Sequence, residues 1–335
     1  MGHDLAAERS SFSWVFLALG TWLAIAAACG DSGADGTSTA SSAGGGASSS
    51  SAAGGNGGAG GGGASTGTTT SSTSAGGGGG GASTGTTTSS TGSGGGSPGC
   101  GSPAMAGSTT ETLDVDGVER TYLVVVPPSL DGNTPAPVLL GFHGGNGTAE
   151  YASQTYGLTG DEAVLYVYPQ APFWPEAGGV AWNVDPSGVD FPYFDALLVD
   201  LGQKYCVDST RVFAAGQSNG GFFVNALGCY RPDALRAIAP VAGGGPPGQC
   251  TPSTETVMIV HGTADSTVPI ASGMYSRDYW LESNGCAGAP SAPADPSPCV
   301  AYSGCAEPVL WCEHGGGHSW PSFAGAAIRG FFLSL

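Results

Sequence analysis

The chain has 335 residues, 61 of them glycine, and its 26 acidic and 8 basic side chains give a formal net charge of −18 at pH 7. An acidic surface repels nucleic acid and anionic membranes, so the charge argues against a role in binding either one. Hydrophobic residues still make up 40% of the sequence, which is enough for part of the chain to fold around a core.

The first segment of the chain has the features of a secretory signal. Residues 14–28 are apolar without interruption, but the run is shorter than the about 20 residues that a membrane-spanning helix needs. It ends in small residues directly before Cys29, so we expect a signal peptide over residues 1–28. The segment also resembles a bacterial lipobox, which predicts lipidation of Cys29; ordinary cleavage near Ala28 would instead leave a free thiol there.

A long segment of low complexity follows over residues 29–99. After Cys29 it consists almost entirely of Gly, Ser, Thr and Ala, without aromatic or basic side chains, and the sequence ASTGTTTSST occurs twice. Such a composition cannot bury enough apolar surface to offset the entropy lost on ordering. We therefore expect a disordered linker with a reach of roughly 45 Å. It would hold the rest of the chain away from a membrane or cell surface, with membrane contact only through a lipid on Cys29.

The distribution of cysteine predicts disulfide bonds. Of the nine cysteines, Cys29 stands alone and the other eight all lie after residue 99. An even set of cysteines in an exported chain is typical of disulfides. Metal binding is the alternative, but the sequence contains no C-x-x-C pair, and we predict no metal site. Proximity in the sequence suggests the pairs Cys286–Cys305 and Cys299–Cys312.

Residues 100–335 have the length expected of a single domain, and strand and helix signals alternate along them. Continuous apolar runs separated by helices predict a mainly parallel α/β sheet covered on both faces. The clearest helix has apolar residues at i, i+3, i+4, i+7 and i+11 from Phe194, with Asp190 as its cap and Pro192 in its first turn. The predicted strands are 118–126, 137–142, 163–168, 211–215, 235–241, 256–261 and 309–313, and the other predicted helices lie near 221–227, 272–283 and 323–335.

A Gly-x-Ser-x-Gly motif at residues 216–220 lies between a predicted strand and a predicted helix. That context is typical of a nucleophile elbow, in which a sharp turn raises a serine hydroxyl above the edge of the sheet. The same motif occurs around Ser65, Ser83 and Ser97, but these copies lie in the glycine-serine run, without a strand before them or a helix after them. Only Ser218 has the context that the chemistry needs, and it is the candidate nucleophile.

A serine nucleophile needs a histidine base and an acid that orients the base. In the α/β-hydrolase fold the chain order is Ser, then Asp or Glu, then His, which selects a histidine late in the chain. His318 lies in a glycine-rich loop after the last predicted strand and is the preferred base, whereas His314 at the strand end is interpreted as structural. His143 and His261 each precede a glycine at a strand end, and we interpret both as hydrogen-bonded scaffold residues.

The acid and the oxyanion-binding amides are predicted from the same strand ends. Asp265 follows a predicted strand by a few residues, whereas the alternative acid, Asp278, falls within a predicted helix. An oxyanion needs backbone N–H donors that point at the developing charge. We expect one donor at Asn219, directly after the nucleophile, and the other at Gly144 or Gly145. A plain turn is the alternative role for these two glycines.

The domain carries a series of short motifs along residues 99–335. They are Gly99–Gly101, His143–Gly145, Tyr156–Leu158, Ala181–Asn183, Gly216–Gly221, His261-Gly262 with Asp265, Asn284–Cys286, Tyr302–Cys305, Pro308–Trp311 and Gly316–His318. In this order they resemble the secreted feruloyl esterases of carbohydrate esterase family 1, which have the α/β-hydrolase fold. The resemblance implies a serine esterase without metal or organic cofactor, in which Ser218, Asp265 and His318 hydrolyse feruloyl esters of plant polysaccharide through an acyl-enzyme. We expect the protein to act as a monomer.

Further functions are compatible with the same residues. The related polyhydroxybutyrate depolymerases share the elbow and a Gly-His-x-Trp-Pro ending, here Gly317–Pro321, but usually have Asp-Asp where this chain has Asp190-Phe191. An acetyl xylan esterase also fits these residues, as does a tethered carbohydrate-binding module on an inactive hydrolase fold. Trp182 and Trp320 are candidates for stacking on a hydroxycinnamoyl ring; burial in the core is the competing role for Trp182.

Overall fold

The structure is a computed structural model that describes residues 96–175, 178–248, 250 and 253–335. The predicted signal peptide, Cys29 and residues 29–95 of the predicted linker lie outside the described residues. Residues 96–99, which the sequence assigns to the linker, pack on the domain. The hydroxyl of Ser97 donates a hydrogen bond to the carbonyl of Tyr205 at 2.6 Å and accepts one from the N–H of Val207 at 2.9 Å.

Most of the strands pair in a single sheet. The strands are β1 (Gly107–Val115), β2 (Val118–Val126), β3 (Ala136–Phe142), β4 (Leu165–Pro169), β5 (Phe173–Trp174), β6 (Gly179–Val180), β7 (Val207–Gln217), β8 (Ala237–Val241), β9 (Val257–Gly262), β10 (Ser291–Pro293), β11 (Cys299–Tyr302) and β12 (Val309–His314). Ten of them form one sheet in the order β1-β2-β4-β3-β7-β8-β9-β12-β11-β10, and β5 and β6 form a separate hairpin.

The centre of the sheet is parallel and its edges are antiparallel. Strands β4, β3, β7, β8, β9 and β12 pair parallel in that order, while β1 and β2 at one edge and β10 and β11 at the other pair antiparallel. Every residue of β3 is buried, because a parallel strand in the middle of such a sheet has no face toward solvent. The mainly parallel α/β sheet predicted from the sequence is confirmed.

Helices cover both faces of this sheet. Side chains alternate between the faces along each strand: in β7, Val212 and Ala214 enter one core and Phe213 and Ala215 the other. The first core also receives side chains from α2, α3 and α4, and the second from α1 and α5. The helices of the described residues are α1 (Ala149–Thr155), α2 (Asp190–Lys204), α3 (Asn219–Tyr230), α4 (Ile270–Ser283) and α5 (Ala324–Leu333), with a short 3-10 helix at Pro232–Ala234.

The structure contains the elements that the sequence predicts for the core, with small shifts of their ends. It also contains several peripheral elements that the sequence analysis did not predict. These are strands β1, β5, β6, β10 and β11 and helix α1. Asp190 also differs from its expected role as a helix cap, because Val189 occupies the cap position and Asp190 is the first residue of α2. It accepts hydrogen bonds from the guanidinium of Arg120 and from the N–H of Asn183, both at 2.6 Å. This ion pair is buried, and it joins α2 to β2 and to the segment before α2.

Disulfides join all eight cysteines that the structure describes. The pairs are Cys100–Cys206, Cys229–Cys250, Cys286–Cys305 and Cys299–Cys312. The two pairs expected from proximity in the sequence are thereby confirmed. Disulfides persist in oxidising compartments, so this bonding indicates a protein that works outside the cytosol. The helices of the described residues are all too short or too polar to cross a membrane.

Candidate active site

The side chains selected from the sequence meet at one edge of the sheet. Parallel strands β3, β7, β9 and β12 all present their carboxyl ends there. Gly144 follows β3, Ser218 follows β7, Asp265 follows β9 and His318 follows β12. Strand order thus brings together segments that are distant in the sequence, at the edge where α/β sheets carry their functional groups.

Ser218 occupies a strained turn between β7 and α3. Its backbone has φ 55° and ψ −119°, a conformation that residues other than glycine rarely adopt. A hydrogen bond from its N–H to the carbonyl of Val241, at 2.9 Å, holds the turn. The flanking glycines are required because a Cβ on Gly216 would lie 2.5 Å from the carbonyl oxygen of Gly220, and one on Gly220 would clash with the carbonyl of Phe142. The turn has the form of the nucleophile elbow that the motif predicts.

His318 connects the serine to the acid. Its Nε2 lies 2.8 Å from the hydroxyl oxygen of Ser218, and its Nδ1 lies 2.8 Å from Oδ2 of Asp265. The glycine-rich loop before it is tied to the loop of the acid, since the carbonyl of Gly316 accepts a hydrogen bond from the N–H of Ala264 at 3.0 Å. The imidazole side chain is 19% exposed, so a substrate can reach it.

Asp265 is a buried carboxylate whose hydrogen-bonding capacity is used on both oxygens. Oδ1 accepts from the N–H groups of Thr267 and Val268 at 2.9 and 2.8 Å, and Oδ2 accepts from His318. Burial favours the neutral acid, but the hydrogen bonds from His318 and the two amides outweigh it and hold the pKa of Asp265 below its ordinary value. The group is therefore a charged acceptor with a fixed orientation.

The alternative base and acid lie outside this hydrogen-bonded line. His314 ends β12, and its Nδ1 accepts a hydrogen bond from the N–H of Gly316 at 3.1 Å. Burial lowers the pKa of His314, which favours the neutral ring of a structural residue. Asp278 has a side chain that is 62% exposed on α4, where it pairs with Arg277 at 2.7 Å.

His143 and His261 are both fully buried scaffold residues. Nδ1 of His143 donates to the carbonyl of Gly144 at 2.7 Å, and its Nε2 accepts from the N–H of Ala171 at 3.1 Å. Burial lowers the pKa of His143, so the neutral ring fixes the glycine loop against the end of β4. Nε2 of His261 donates to the carbonyl of Val268 at 2.9 Å and so supports the loop that carries Asp265.

The glycine loop after β3 lies against the candidate nucleophile. A Cβ on Gly144 would be 3.3 Å from the Cβ of Ser218, and one on Gly145 would be 3.9 Å from the Cβ of Asn219. Asn219 is the first residue of α3, where an N–H has no acceptor within its own helix and where the helix dipole favours negative charge. The backbone amides expected to bind an oxyanion are therefore next to Ser218.

The side chain of Asn219 has a role that the sequence analysis missed. Its Oδ1 accepts from the N–H of Trp182 at 2.6 Å, and its Nδ2 donates to the carbonyl of the same residue at 3.1 Å. The next residue, Asn183, is held in turn by the carboxylate of Asp190. These contacts fix the residue after the nucleophile to a segment 37 positions earlier. The spacing of residues in the sequence carries no signal for such a long-range pair.

Trp182 is a core residue, so its expected role in stacking on a substrate is wrong. It is 3% exposed, and its ring packs edge-on against Phe142 and face-on against Phe223. Its indole N–H donates to the carbonyl of His143 at 2.9 Å. The position agrees with the competing role left open by the sequence, a tryptophan buried in the core.

Trp320, the second predicted stacking residue, is half-buried and already has an aromatic partner. Its ring stacks on Tyr156 with a centroid separation of 4.0 Å and an interplanar angle of 2°. Tyr156 follows α1 and is itself 2% exposed. One face of the indole is thus covered within the protein, and a substrate could use only the opposite face.

Comparisons with known proteins agree with this geometry, although no protein-family model matches the chain. Feruloyl esterase D of Neurospora crassa is 28% identical over 240 residues, which cover 65% of this chain and 80% of that protein. Feruloyl esterase C of Emericella nidulans is 29% identical over 232 residues, which cover 65% of this chain and 83% of that protein. Among solved structures, the acetyl xylan esterase from Aspergillus awamori superimposes with a TM-score of 0.53 at 16% identity, over 68% of this chain and 100% of that one.

The resemblance to feruloyl esterases inferred from the motifs is confirmed by these relatives, and the α/β-hydrolase fold by the structural likeness. The chain is a serine carboxylic-ester hydrolase. Its assignment to carbohydrate esterase family 1 stays a prediction.

Proposed function

We propose that this serine carboxylic-ester hydrolase cleaves feruloyl and related hydroxycinnamoyl esters through a Ser-His-Asp acyl-enzyme. The observation that carries the proposal is the unbroken hydrogen-bonded line from Ser218 through His318 to Asp265, with two contacts of 2.8 Å. A serine, an imidazole and a carboxylate in this order form the arrangement that turns an alcohol into a nucleophile.

The reaction begins when Oγ of Ser218 attacks the ester carbonyl carbon while Nε2 of His318 takes the hydroxyl proton. A bond forms between Oγ and the carbon, and the carbonyl electron pair moves to the oxygen. When that pair returns, the bond to the alcohol oxygen breaks, and Nε2 gives its proton to the leaving alcohol. A water molecule then repeats these steps on the acyl-enzyme, releasing the carboxylic acid and restoring the serine.

Asp265 supports both proton transfers without exchanging a proton itself. Because its Oδ2 accepts from Nδ1 of His318, the proton of the neutral ring stays on Nδ1 and the lone pair of Nε2 faces Ser218. The lowered pKa of Asp265 keeps the carboxylate charged when the ring becomes an imidazolium. Its negative charge then stabilises the ring that carries both protons.

The oxyanion would be bound by the N–H of Asn219 and by that of Gly144 or Gly145. Removing one such donor costs about 3–4 kcal/mol of transition-state stabilisation in serine hydrolases. The hydrogen bonds of the Asn219 side chain to Trp182 would hold the amide in place before substrate binds. Such preorganisation makes the donor effective without further reorganisation during the reaction.

The substrate class comes from the relatives, which are named for feruloyl esters in several fungi. The likeness to the acetyl xylan esterase, at 16% identity, concerns the fold alone. We infer that the enzyme acts outside the cell as a monomer on esters of plant polysaccharide, in keeping with its disulfides and the predicted signal peptide. Attachment through a lipid on Cys29 remains part of the proposal.

The test is a panel of methyl ferulate, acetylated xylan and polyhydroxybutyrate, with Ser218→Ala as the blank. We expect the highest kcat/KM on methyl ferulate, and a loss of about 10⁶-fold in kcat for Ser218→Ala with an unchanged circular dichroism spectrum. A fluorophosphonate probe should label the wild-type protein and not the variant. Release of hydroxybutyrate without activity on methyl ferulate would overturn the substrate, and near-normal hydrolysis by Ser218→Ala would overturn the nucleophile.

A further inference from the structure

A cavity of about 370 Å³ borders the glycine loop beside the candidate nucleophile. Its walls are the loop residues 144–148, Tyr151 in the first turn of α1, and Gln217, the residue directly before Ser218. The volume falls within the range of about 300–1,000 Å³ that small-molecule sites occupy. Its inner wall is bare backbone at Gly145, where an added Cβ would meet only the Cβ of Asn219, at 3.9 Å. A ligand in this cavity can therefore extend as far as the backbone beside Ser218.

Tyr151 stands at the rim of this cavity with most of its ring uncovered. The side chain is 56% exposed, although burying an aromatic ring away from water is energetically favourable. Only its edge-on contact with Tyr156, at 6.4 Å between ring centroids, packs it against another aromatic ring of the described residues. Its backbone is well fixed, since the N–H of Tyr151 donates to the capping hydroxyl of Thr148 at 3.1 Å. An exposed ring on a rigid turn is suited to packing against a flat ligand.

The chemistry of the proposed substrate decides which half of the ester this cavity can hold. The walls described for the cavity come from the β3–α1 segment and from Gln217, which directly precedes Ser218. In a hydroxycinnamoyl ester the aromatic ring belongs to the acyl group, and the acyl group becomes bonded to Oγ of Ser218 during the reaction. A cavity that borders the nucleophile and has an exposed aromatic ring at its rim therefore suits the acyl half.

The two tryptophans that the sequence suggests for substrate contact have less ring surface available to a ligand than Tyr151 has. Trp182 is buried, and Trp320 has one face covered by Tyr156. Of the large apolar side chains that are exposed in the described residues, Tyr151 is the one that lines this cavity. An aromatic pair contributes about 0.5–1.5 kcal/mol beyond the area that it buries.

We propose that the cavity between the glycine loop and α1 receives the acyl group of the ester, and that Tyr151 packs against the aromatic ring of that group. This inference rests on the proposed function and adds the residue that determines preference for an aromatic acid. Tyr151 touches the substrate at a distance from the reacting bond, so its removal should weaken discrimination between acyl groups more than it weakens ester cleavage as such.

The experiment compares kcat/KM on methyl ferulate and on 4-nitrophenyl acetate for four variants. Tyr151→Ala and Tyr151→Leu remove the ring, and Tyr151→Phe keeps it. Tyr275→Ala is the matched control, because Tyr275 is also 56% exposed but lies on α4, away from the cavity. We expect the ratio of methyl ferulate to acetate activity to fall about tenfold in the Ala and Leu variants and to remain within about twofold of wild type in the Phe variant and the control.

The outcomes separate this inference from the proposed function. A wild-type protein without activity on methyl ferulate would overturn both. A wild type that hydrolyses methyl ferulate, combined with an unchanged ratio in both Tyr151→Ala and Tyr151→Leu, would overturn only the role of Tyr151. The leucine variant retains the apolar bulk of the side chain, so it gives an answer if the alanine variant unfolds. Equal loss in Tyr151→Phe and Tyr151→Ala would also contradict packing by the ring.

Discussion

Nδ1 of His318 and Oδ2 of Asp265 are 2.8 Å apart, although the two residues are 53 positions apart in the sequence. The sheet produces this contact, since β9 and β12 are adjacent parallel strands with His314 directly opposite Gly262. The loops that follow these strands leave the sheet at the same level. A carboxylate just after one strand therefore meets an imidazole just after the next one in the sheet.

Asp265→Asn should lower kcat by about 10⁴-fold while leaving the fold intact. The amide keeps the shape of the carboxylate, but it removes the charge that stabilises the imidazolium and allows the wrong tautomer of His318. The measurement is kcat and KM on methyl ferulate, with KM expected to change little. Asp278→Asn is the control, because that side chain is 62% exposed on α4; a larger loss in the control would transfer the role of the acid to Asp278.

Trp182→Phe should destabilise the protein by about 2–4 kcal/mol, because it leaves a gap in the core and an unpaired carbonyl at His143. Urea unfolding measures this cost. Trp174→Phe is the matched control: it also loses an indole hydrogen bond to a carbonyl, that of Ala181 at 2.7 Å, but from a half-buried position. The ratio of activity on methyl ferulate to that on 4-nitrophenyl acetate should be unchanged in both variants. A fall in that ratio for Trp182→Phe alone would restore Trp182 as a substrate contact.

Glu255→Gln should reduce the dependence of stability on pH. Glu255 is 3% exposed, and burial raises the pKa of its carboxyl to about 9, with the nearby Glu307 acting in the same direction. The unfolded chain releases this proton near pH 4.5 and the folded chain only near pH 9, so stability falls as pH rises between these values. The glutamine cannot ionise. The Tm of the Glu255→Gln variant, relative to that of the wild type, should therefore rise by several degrees between about pH 5 and pH 8.

The control for that experiment is Glu282→Gln, an exposed carboxylate on α4. Its Tm should follow that of the wild type across the same pH range. A wild-type Tm that does not fall relative to Glu255→Gln on raising the pH would mean that Glu255 is already ionised in the folded protein.

Loss of the Cys100–Cys206 disulfide should cost more stability than loss of Cys299–Cys312. The first pair closes a loop of 106 residues and the second a loop of 13, so the chain-entropy model gives about 4.7 and about 3 kcal/mol respectively. Double Cys→Ser variants and denaturant unfolding measure the difference, and peptide mapping without reduction should recover all four pairs. Equal costs would show that strain or residual structure in the unfolded chain outweighs loop length.

Much of the candidate site follows from the sequence because its determinants are local. Gly216 and Gly220 are needed where a strand and a helix nearly touch, and this need appears as a motif with a strand before it and a helix after it. The order of the strands then fixes where the acid and the base must come from. Ser218, Asp265 and His318 therefore occupy the relative positions expected from chain order.

The rest depends on contacts that leave no periodic signal. Whether a tryptophan after a hairpin faces a core or a cleft depends on neighbours such as Phe223, 41 positions later in the numbering. The partner of the Asn219 side chain is equally remote. Strand β1 escapes detection because most of its residues are exposed at the edge of the sheet, which removes the apolar alternation that marks a half-buried strand.

The bond between Cys100 and Cys206, together with the contacts of Ser97, fastens the first described residues beside the first residue of β7. Ser218 comes after the last residue of the same strand, whose 11 residues span roughly 30 Å. Ser97 and Ser218 therefore lie at opposite edges of the sheet. A label or support coupled beside Ser97 would leave the reactive rim uncovered.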